Sequence, residues 1–437
     1  MRPQQRPHAF MRGMLMVNGK IFNRWMVVVG AIFMQLALGV IYAWSVFTPS
    51  LKATPYNFTA AQTQAIFSAG LFSFAFVLIF AGIWMKKTGP RFLSILCAFV
   101  LGGGYTLAAF LGSNFMMLFL TIGIIGGAGT GLGYVVPIAV GMKWFPDKKG
   151  LVSGLAVAGF GFGATIWVKV AGSWFGLIEK YGIQNVFLFY GITLLVLVLI
   201  GSRWMVNPPQ GYVPEGYSQE GTASTGDQKA SSLDISWQKM IIRAQFWILW
   251  LIYCFGAIAG LMVIGNIVLF GRDSLQNAGL TPESAVAAAG TAMAWYAIFN
   301  GLGRIIWGKI SDSIGPKLAI FLNTLVQGGL LLTLYAMGNS PLILAIYASA
   351  IGFNYGGYFA LMPTGCATLF GAKNIGSNYP FLFTAYGVAG IAGPLLGGFV
   401  RDVTGSFLWA FLPAGIACLI GAALALMLKT QLKARAT

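Results

Sequence analysis

Apolar residues lie along this chain in long unbroken blocks, with no sign of the short alternating runs of half-buried strands. Each block matches the roughly 20 residues a helix needs to cross the hydrocarbon core of a bilayer. Each is closed by charged residues or by Pro, Gly and Asn turns. Twelve such blocks can be drawn, at about 25–47, 62–85, 91–112, 115–141, 150–172, 185–206, 244–270, 284–308, 317–338, 341–369, 377–400 and 405–428. The pattern predicts an all-α polytopic membrane protein embedded in a lipid bilayer. The longest polar stretch, 207–243, holds Pro208, Pro209 and Pro214, several Ser and Gly, and the acids Glu215, Glu220, Asp227 and Asp234. That is a linker composition. It divides the chain into an N-terminal tail (1–24), a six-helix half (25–206), a cytoplasmic linker (207–243), a second six-helix half (244–428) and a C-terminal tail (429–437).

Composition narrows the class. Apolar residues make up 57% of the chain and charged residues 8%, against about 25% charged in soluble domains. A soluble enzyme, a disordered chain and a disulfide scaffold are all excluded. The net charge of +17 comes from 27 Lys and Arg against 10 Asp and Glu. In a soluble protein it would suggest nucleic acid; here it sets topology, because loops on the cytoplasmic side carry excess Lys and Arg. With the N-terminus inside, 21 cations fall in inside segments and four (Lys52, Lys180, Arg272 and Arg401) in outside loops. Both termini are expected in the cytoplasm. No nucleic-acid partner is expected. Residues 1–24 are basic without a small-residue cleavage site, so no removable signal peptide is expected.

Metal and cofactor chemistry find little support. The single histidine, His8, lies in the tail, and Cys97, Cys254, Cys366 and Cys418 have no ligand spacing. No metal, no cofactor and no enzyme activity are expected. The glycines of 150–163, with those at Gly129, Gly131 and Gly133, could be mistaken for a nucleotide fingerprint. They lack the strand, the Lys-Ser/Thr and the acidic partner such a motif needs. Small residues at this spacing let helices pack closely.

An internal repeat is present. Gly82-Ile-Trp-Met-Lys-Lys-Thr-Gly89-Pro90-Arg91 and Gly308-Lys-Ile-Ser-Asp312-Ser-Ile-Gly315-Pro316-Lys317 share the pattern G-x6-G-P-[RK] at an offset of 226 residues. The same offset relates Pro137 to Pro363 and Gly150 to Gly376. Several matches at one offset predict two parallel halves of six helices. That is the architecture of major facilitator transporters, whose substrate site lies between the halves near the bilayer midplane. The loops resemble that superfamily's loop 2–3 signature, with the acid present only in the second copy, as Asp312.

The spans themselves leave few groups for chemistry. All ten acids lie in loops or at span ends, so no carboxylate or imidazole is expected in the membrane interior. Two cations remain inside spans, Lys169 and Arg304. Lys169, near an outer end, can extend its stem to the interface. Arg304, drawn about one turn from the cytoplasmic end of the eighth span, has no such simple account. A charge in a span costs about 2.5–3.5 kcal/mol at the helix centre on the insertion scale. A guanidinium without a protein carboxylate suits a bound carboxylate, which its planar fork can hold with two hydrogen bonds. Asn300 precedes it by one turn on the same face, and Tyr296 by two.

At these residues the chain resembles the monocarboxylate/oxalate–formate porter branch of the major facilitator superfamily along essentially its whole length, bacterial members above all. Three stretches carry the likeness: Trp144-Phe-Pro-Asp147 through Gly159; Asn300-Gly-Leu-Gly-Arg304 through Asp312; and Gly39-Val-Ile-Tyr42-Ala-Trp44. The resemblance implies that Arg304 binds a substrate carboxylate. It also implies that Tyr42, Tyr134, Tyr355, Phe359 and Tyr386 line the pocket, where Asn300, one turn from Arg304, is expected to hold a remaining substrate oxygen. It further implies a monomer in the plasma membrane, the bacterial inner membrane, working by alternating access. Oxalate–formate exchangers carry a Lys where this chain has Tyr386, and one cation suits one carboxylate. Monocarboxylates of the lactate/pyruvate class with proton symport are therefore the expected cargo and coupling, and anion exchange is the alternative. Animal-type relatives have Asp-x-x-x-Arg where this chain has Asn300-x-x-x-Arg304. An anion channel would need a continuous polar lining, and a sensor would need a soluble output domain.

Overall fold

The computed structural model describes residues 14–17, 20–47, 50–51, 54–58, 60–112, 114–209, 212–214 and 234–429. A short antiparallel hairpin, β1 (Met14–Val17) and β2 (Lys20–Asn23), lies within the expected tail. After it, among the described residues, come twelve helices long and apolar enough to cross a membrane. In the first half these are α1 (Trp25–Leu38), α2 (Ala60–Thr88), α3 (Pro90–Leu111), α4 (Phe115–Trp144), α5 (Lys149–Lys169) and α6 (Leu177–Ser202). In the second they are α7 (Ala244–Asn277), α8 (Pro282–Ile314), α9 (Pro316–Met337), α10 (Pro341–Phe370), α11 (Ile375–Thr404) and α12 (Leu408–Leu426). His8, Lys52, Glu215, Glu220 and Asp227 lie outside the described residues.

Several helices run past the sequence boundaries, because backbone hydrogen bonding continues through polar turns where hydropathy falls. α6 starts at Leu177, eight residues early, and bends at Gly182, whose φ of 77° breaks the helix. α8 continues to Ile314. This corrects the depth of Arg304: ten residues follow it, so it sits roughly 15 Å from the helix end at 1.5 Å per residue. The acids of the helices stay in end turns, Asp312 two residues from the end of α8 and Asp273 four from the end of α7.

The G-x6-G-P-[RK] loops explain themselves. Gly89 and Gly315 adopt φ of 81° and 85°, and Pro90 and Pro316 open the next helix. A positive φ favours glycine, and proline suits the first helical turn, where its missing N–H has no partner to lose. The chain thus reverses between α2 and α3, and again between α8 and α9, without a capping side chain.

The repeat also places the contact between halves. A Cβ on Gly82 would stand 2.1 Å from the Gly376 carbonyl oxygen, and one on Gly150 would stand 2.2 Å from that of Gly308. The 226-residue offset carries Gly82 to Gly308 and Gly150 to Gly376. The two glycine crossings, α2 on α11 and α5 on α8, are therefore the same contact made twice around a pseudo-twofold axis. Both lie at the end of the bundle that carries Lys86, Lys87, Arg91, Lys148, Lys149, Lys309, Lys317 and Lys373, called here the basic end.

Candidate functional site

Arg304 is 2% exposed in the middle of the bundle. Its Nε and Nη2 donate to Asn300 Oδ1 at 3.2 and 3.0 Å, and its Nη1 donates to the Val157 carbonyl at 2.7 Å. The Asn300 contact is the one-turn spacing read from the sequence; the Val157 contact crosses to α5 in the other half. A guanidinium carries five N–H donors. Three are used, which leaves one on Nη1 and one on Nη2, the pair that a carboxylate can take side by side. Among the described residues no carboxylate lies within salt-bridge distance of Arg304.

The plane of the guanidinium is clamped. Its Cζ lies 4.3 Å over the Phe359 ring. A Cβ on Gly161 would stand 3.4 Å from the same Cζ. The α5 glycines otherwise serve packing: Gly154 lies on the Arg304 carbonyl, and Gly159 and Gly163 lie on α1. Gly161 differs from them by making room for the cation, which the even spacing of the glycines did not reveal.

The expected pocket residues converge. Tyr42 and Tyr386 bring their hydroxyls together in a very short hydrogen bond that joins the two halves. Tyr42 sits on a 3-10 stretch, Gly39–Val46, that continues α1. Gly39 permits this by lying against the Phe160 carbonyl of α5. Phe359 meets Tyr355 at 5.4 Å and Tyr386 at 5.4 Å, both edge-on. Tyr134 is fully buried between Phe74, Phe160 and Phe383, with ring centroids 5.2 to 5.3 Å away. The hydroxyl of Tyr296 donates to the Gly260 carbonyl of α7 at 3.1 Å, so that residue joins helices. Lys169 is exposed at the far end of α5.

Sequence reasoning missed Phe160, Phe383, Tyr253 and Tyr379. Aromatics are 14% of the chain, and single ones carry no positional signal without the helix crossings.

The halves are closed at the basic end and parted at the other. The α8 stripe that faces α5 is buried from Gly301 through Arg304 and Gly308 to Ser311. Continued the other way, the same stripe is exposed at Ala297, Ala294, Gly290 and Ala287. Asp312 closes the basic end further. Its two oxygens accept from the Gly150 and Leu151 N–H groups at 2.8 Å each, at the N-terminus of α5. An anion is favoured there by the free N–H groups and the helix dipole. The equivalent position of the first half is Lys86, which donates to Asn374 Oδ1 at 2.8 Å. Asn374 in turn donates to the Asp234 and Ile235 carbonyls, which fastens the end of the linker to α11.

Comparison with known proteins agrees with this architecture. The chain matches the Major Facilitator Superfamily over residues 22–282 and 274–436. It is 27% identical to the oxalate:formate antiporter of Oxalobacter formigenes, covering 93% of this chain and 92% of that one. It is 24% identical to monocarboxylate transporter 14 of Homo sapiens, covering 91% and 88%. Its fold superposes on the transporter FucP in the outward conformation with a TM-score of 0.67 at 17% identity, covering 92% and 98%. With twelve helices in two parallel halves, relatives in the monocarboxylate/oxalate–formate branch and a match over nearly the whole sequence, the chain belongs to the Major Facilitator Superfamily.

Proposed function

We propose that this protein is a secondary active transporter of small monocarboxylates of the lactate/pyruvate class, working by alternating access as a proton symporter. The observation that carries the reading is the buried Arg304, with one N–H left on each Nη and no carboxylate beside it among the described residues. A buried unpaired charge is costly, and a substrate carboxylate neutralises it. The Tyr and Phe walls hold a short carbon body. The basic end is the cytoplasmic side by the positive-inside rule, so the cleft beyond Gly301 opens outward from a plasma membrane such as the bacterial inner membrane. With no acid beside Arg304 among the described residues, the coupled proton travels on the substrate carboxylate, on water or on a loop acid such as Asp312.

Coupling is tested in empty proteoliposomes under an inward proton gradient. Symport predicts labelled lactate uptake with no internal anion. The second reading, anion exchange of the oxalate/formate kind, is favoured by the similarity to the Oxalobacter antiporter. It predicts uptake only when the vesicles are preloaded with an anion, and such a result would end the symport reading.

Phe359→Leu removes the ring under the guanidinium. Cation–π contacts reach about 2 kcal/mol when desolvated, so lactate affinity should fall by up to roughly 30-fold, at 1.4 kcal/mol per decade. A dissociation constant unchanged in the purified variant would show that Phe359 does not hold the arginine in place.

A further inference from the structure

At the end opposite the basic one, α5 and α6 border a cavity of about 580 Å³. That volume falls within the roughly 300–1,000 Å³ of ligand pockets. The connection between the two helices is irregular here. Val170–Trp174 continue α5 as a π-helix, a form that appears as single-turn bulges and often at functional sites. Gly176 then turns the chain with a φ of 60°, ahead of the bend at Gly182. Phe175 and Leu177 of this connection line the cavity. Trp167 also lines it, 4% exposed and fixed by donating its indole N–H to the Leu36 carbonyl of α1 at 2.8 Å. The amide on the wall, Asn185, donates to the Tyr181 carbonyl at 2.8 Å across the Gly182 bend. The remaining wall is nearly all apolar. Water needs about 2–4 polar partners to stay in such a space, and an empty apolar space forfeits the dispersion contacts of its walls. The lining therefore suits an apolar occupant.

Depth in the membrane says which one. Phe175 and Tyr181, both more than half exposed, stand at the mouth, and aromatic residues gather at the headgroup level of a bilayer. From Asn185 to Thr193 the α6 wall runs eight residues deeper, about 12 Å at 1.5 Å per residue. One leaflet holds roughly 15 Å of hydrocarbon, half of the 30 Å core. The cavity thus starts where a headgroup lies and runs most of the length of one acyl chain. Two lysines stand by it. Lys169 follows the lining residue Ile166 by three positions, and Lys180 follows Leu177 by three; residues three apart on a helix are neighbours. Both are exposed, and neither has a hydrogen bond or ion pair among the described residues. Their stems can lie on the apolar wall while the ammonium groups stay in the headgroup layer.

We propose that the α5–α6 cavity holds one acyl chain of an anionic phospholipid, from the leaflet opposite the basic end, with its phosphate against Lys169 and Lys180. The site is separate from the substrate cleft and stands independently of the transport reading. It gives Lys169 a role that the Arg304 site does not use. Bulk lipid is as apolar as the cavity wall, so the chain supplies fit and the headgroup supplies preference. Each lysine near the membrane surface favours an anionic lipid about fivefold. The exposed Glu179 beside Lys180 offsets part of this, which leaves a preference of about tenfold over a zwitterionic lipid.

The test uses the full-length protein, stripped of lipid in detergent and titrated with dioleoyl phosphatidylglycerol or dioleoyl phosphatidylcholine. Retained lipid is counted by native mass spectrometry. Wild type should retain one phosphatidylglycerol about tenfold more tightly than phosphatidylcholine. Lys169→Gln combined with Lys180→Gln should bring the two lipids within twofold of each other. Thr193→Phe fills the deep end of the cavity and should weaken phosphatidylglycerol severalfold; if it does not fold, Val170→Phe makes the same test. Glycerophosphoglycerol, the headgroup without its chains, should not compete. Equal retention of both lipids by wild type would mean ordinary annular lipid. A preference that survives the double lysine substitution, or a filled cavity without effect, would put the lipid elsewhere. Competition by the free headgroup would make this a phosphate site, and detergent that neither lipid displaces would make it a detergent site. Each of these results overturns the proposal.

Discussion

Arg304→Ala is expected to abolish monocarboxylate binding and uptake while leaving the fold intact. Truncating one partner of a desolvated charge pair costs about 2–5 kcal/mol, so the loss should be on the order of 100-fold or more in affinity. The fold should survive, because the substitution removes a buried charge that no carboxylate among the described residues balances. The bonds lost to Asn300 and Val157 are side-chain donors, and their carbonyl acceptors can take water. Arg304→Lys separates charge from shape. An ammonium keeps the positive charge but cannot span two carboxylate oxygens with a planar fork. It also loses the stacked contact with Phe359. It should recover only part of the affinity. The check is lactate binding to each purified variant alongside its thermal unfolding midpoint. Full binding by Arg304→Ala would remove the anion site from the account.

Gly154→Val is expected to have the next largest effect, by a different route. A Cβ at Gly154 would stand 2.2 Å from the Arg304 carbonyl oxygen. The clash is with backbone, so no side-chain rotation relieves it. Overpacking of this kind costs about 1–3 kcal/mol or more, and it falls only on the state in which α5 and α8 touch. The substitution should therefore shift the protein away from the basic-end-closed state by roughly tenfold to 100-fold, and uptake should fall at least tenfold. The shift can be read independently. Ser311, buried on α8 near the glycine crossing, is 2% exposed. A cysteine placed there should resist a water-soluble thiol reagent in the otherwise unchanged protein and react in the Gly154→Val background. Equal protection in both would mean that this crossing does not set the closed state.

Much of this was legible in the sequence. Twelve apolar blocks and one polar linker composition fixed the helix count, and the 226-residue offset indicated two parallel halves, though not that Gly82 would meet Gly376 or Gly150 meet Gly308. Arg304 and Asn300 could be joined because a four-residue spacing on a helix is a statement about geometry. What was missed follows from what hydropathy measures. It registers side chains, while helices end where backbone hydrogen bonds end, so α8 ran to Ile314 and Arg304 proved deeper than drawn. The role of Gly161 was hidden among like glycines, since only the crossing of α5 over Arg304 distinguishes it. Tyr253 and Tyr379 were hidden for the same reason: in a chain rich in aromatics, which rings meet around Phe383 and Tyr134 is decided by how α4, α7 and α11 pack. The 3-10 winding of Gly39–Val46, which carries Tyr42 to Tyr386, likewise depends on α1 lying against α5.

The central claim is that the protein recognises the negative charge of a carboxylate through Arg304. The most direct measurement compares lactate with lactamide, its neutral analogue of nearly the same shape, by titration calorimetry on the purified wild-type protein and on Arg304→Ala. The account predicts saturable lactate binding to wild type, no lactamide binding to either protein, and no lactate binding to the variant. Comparable affinity for lactate and lactamide, or lactate binding that survives the loss of Arg304, would contradict it.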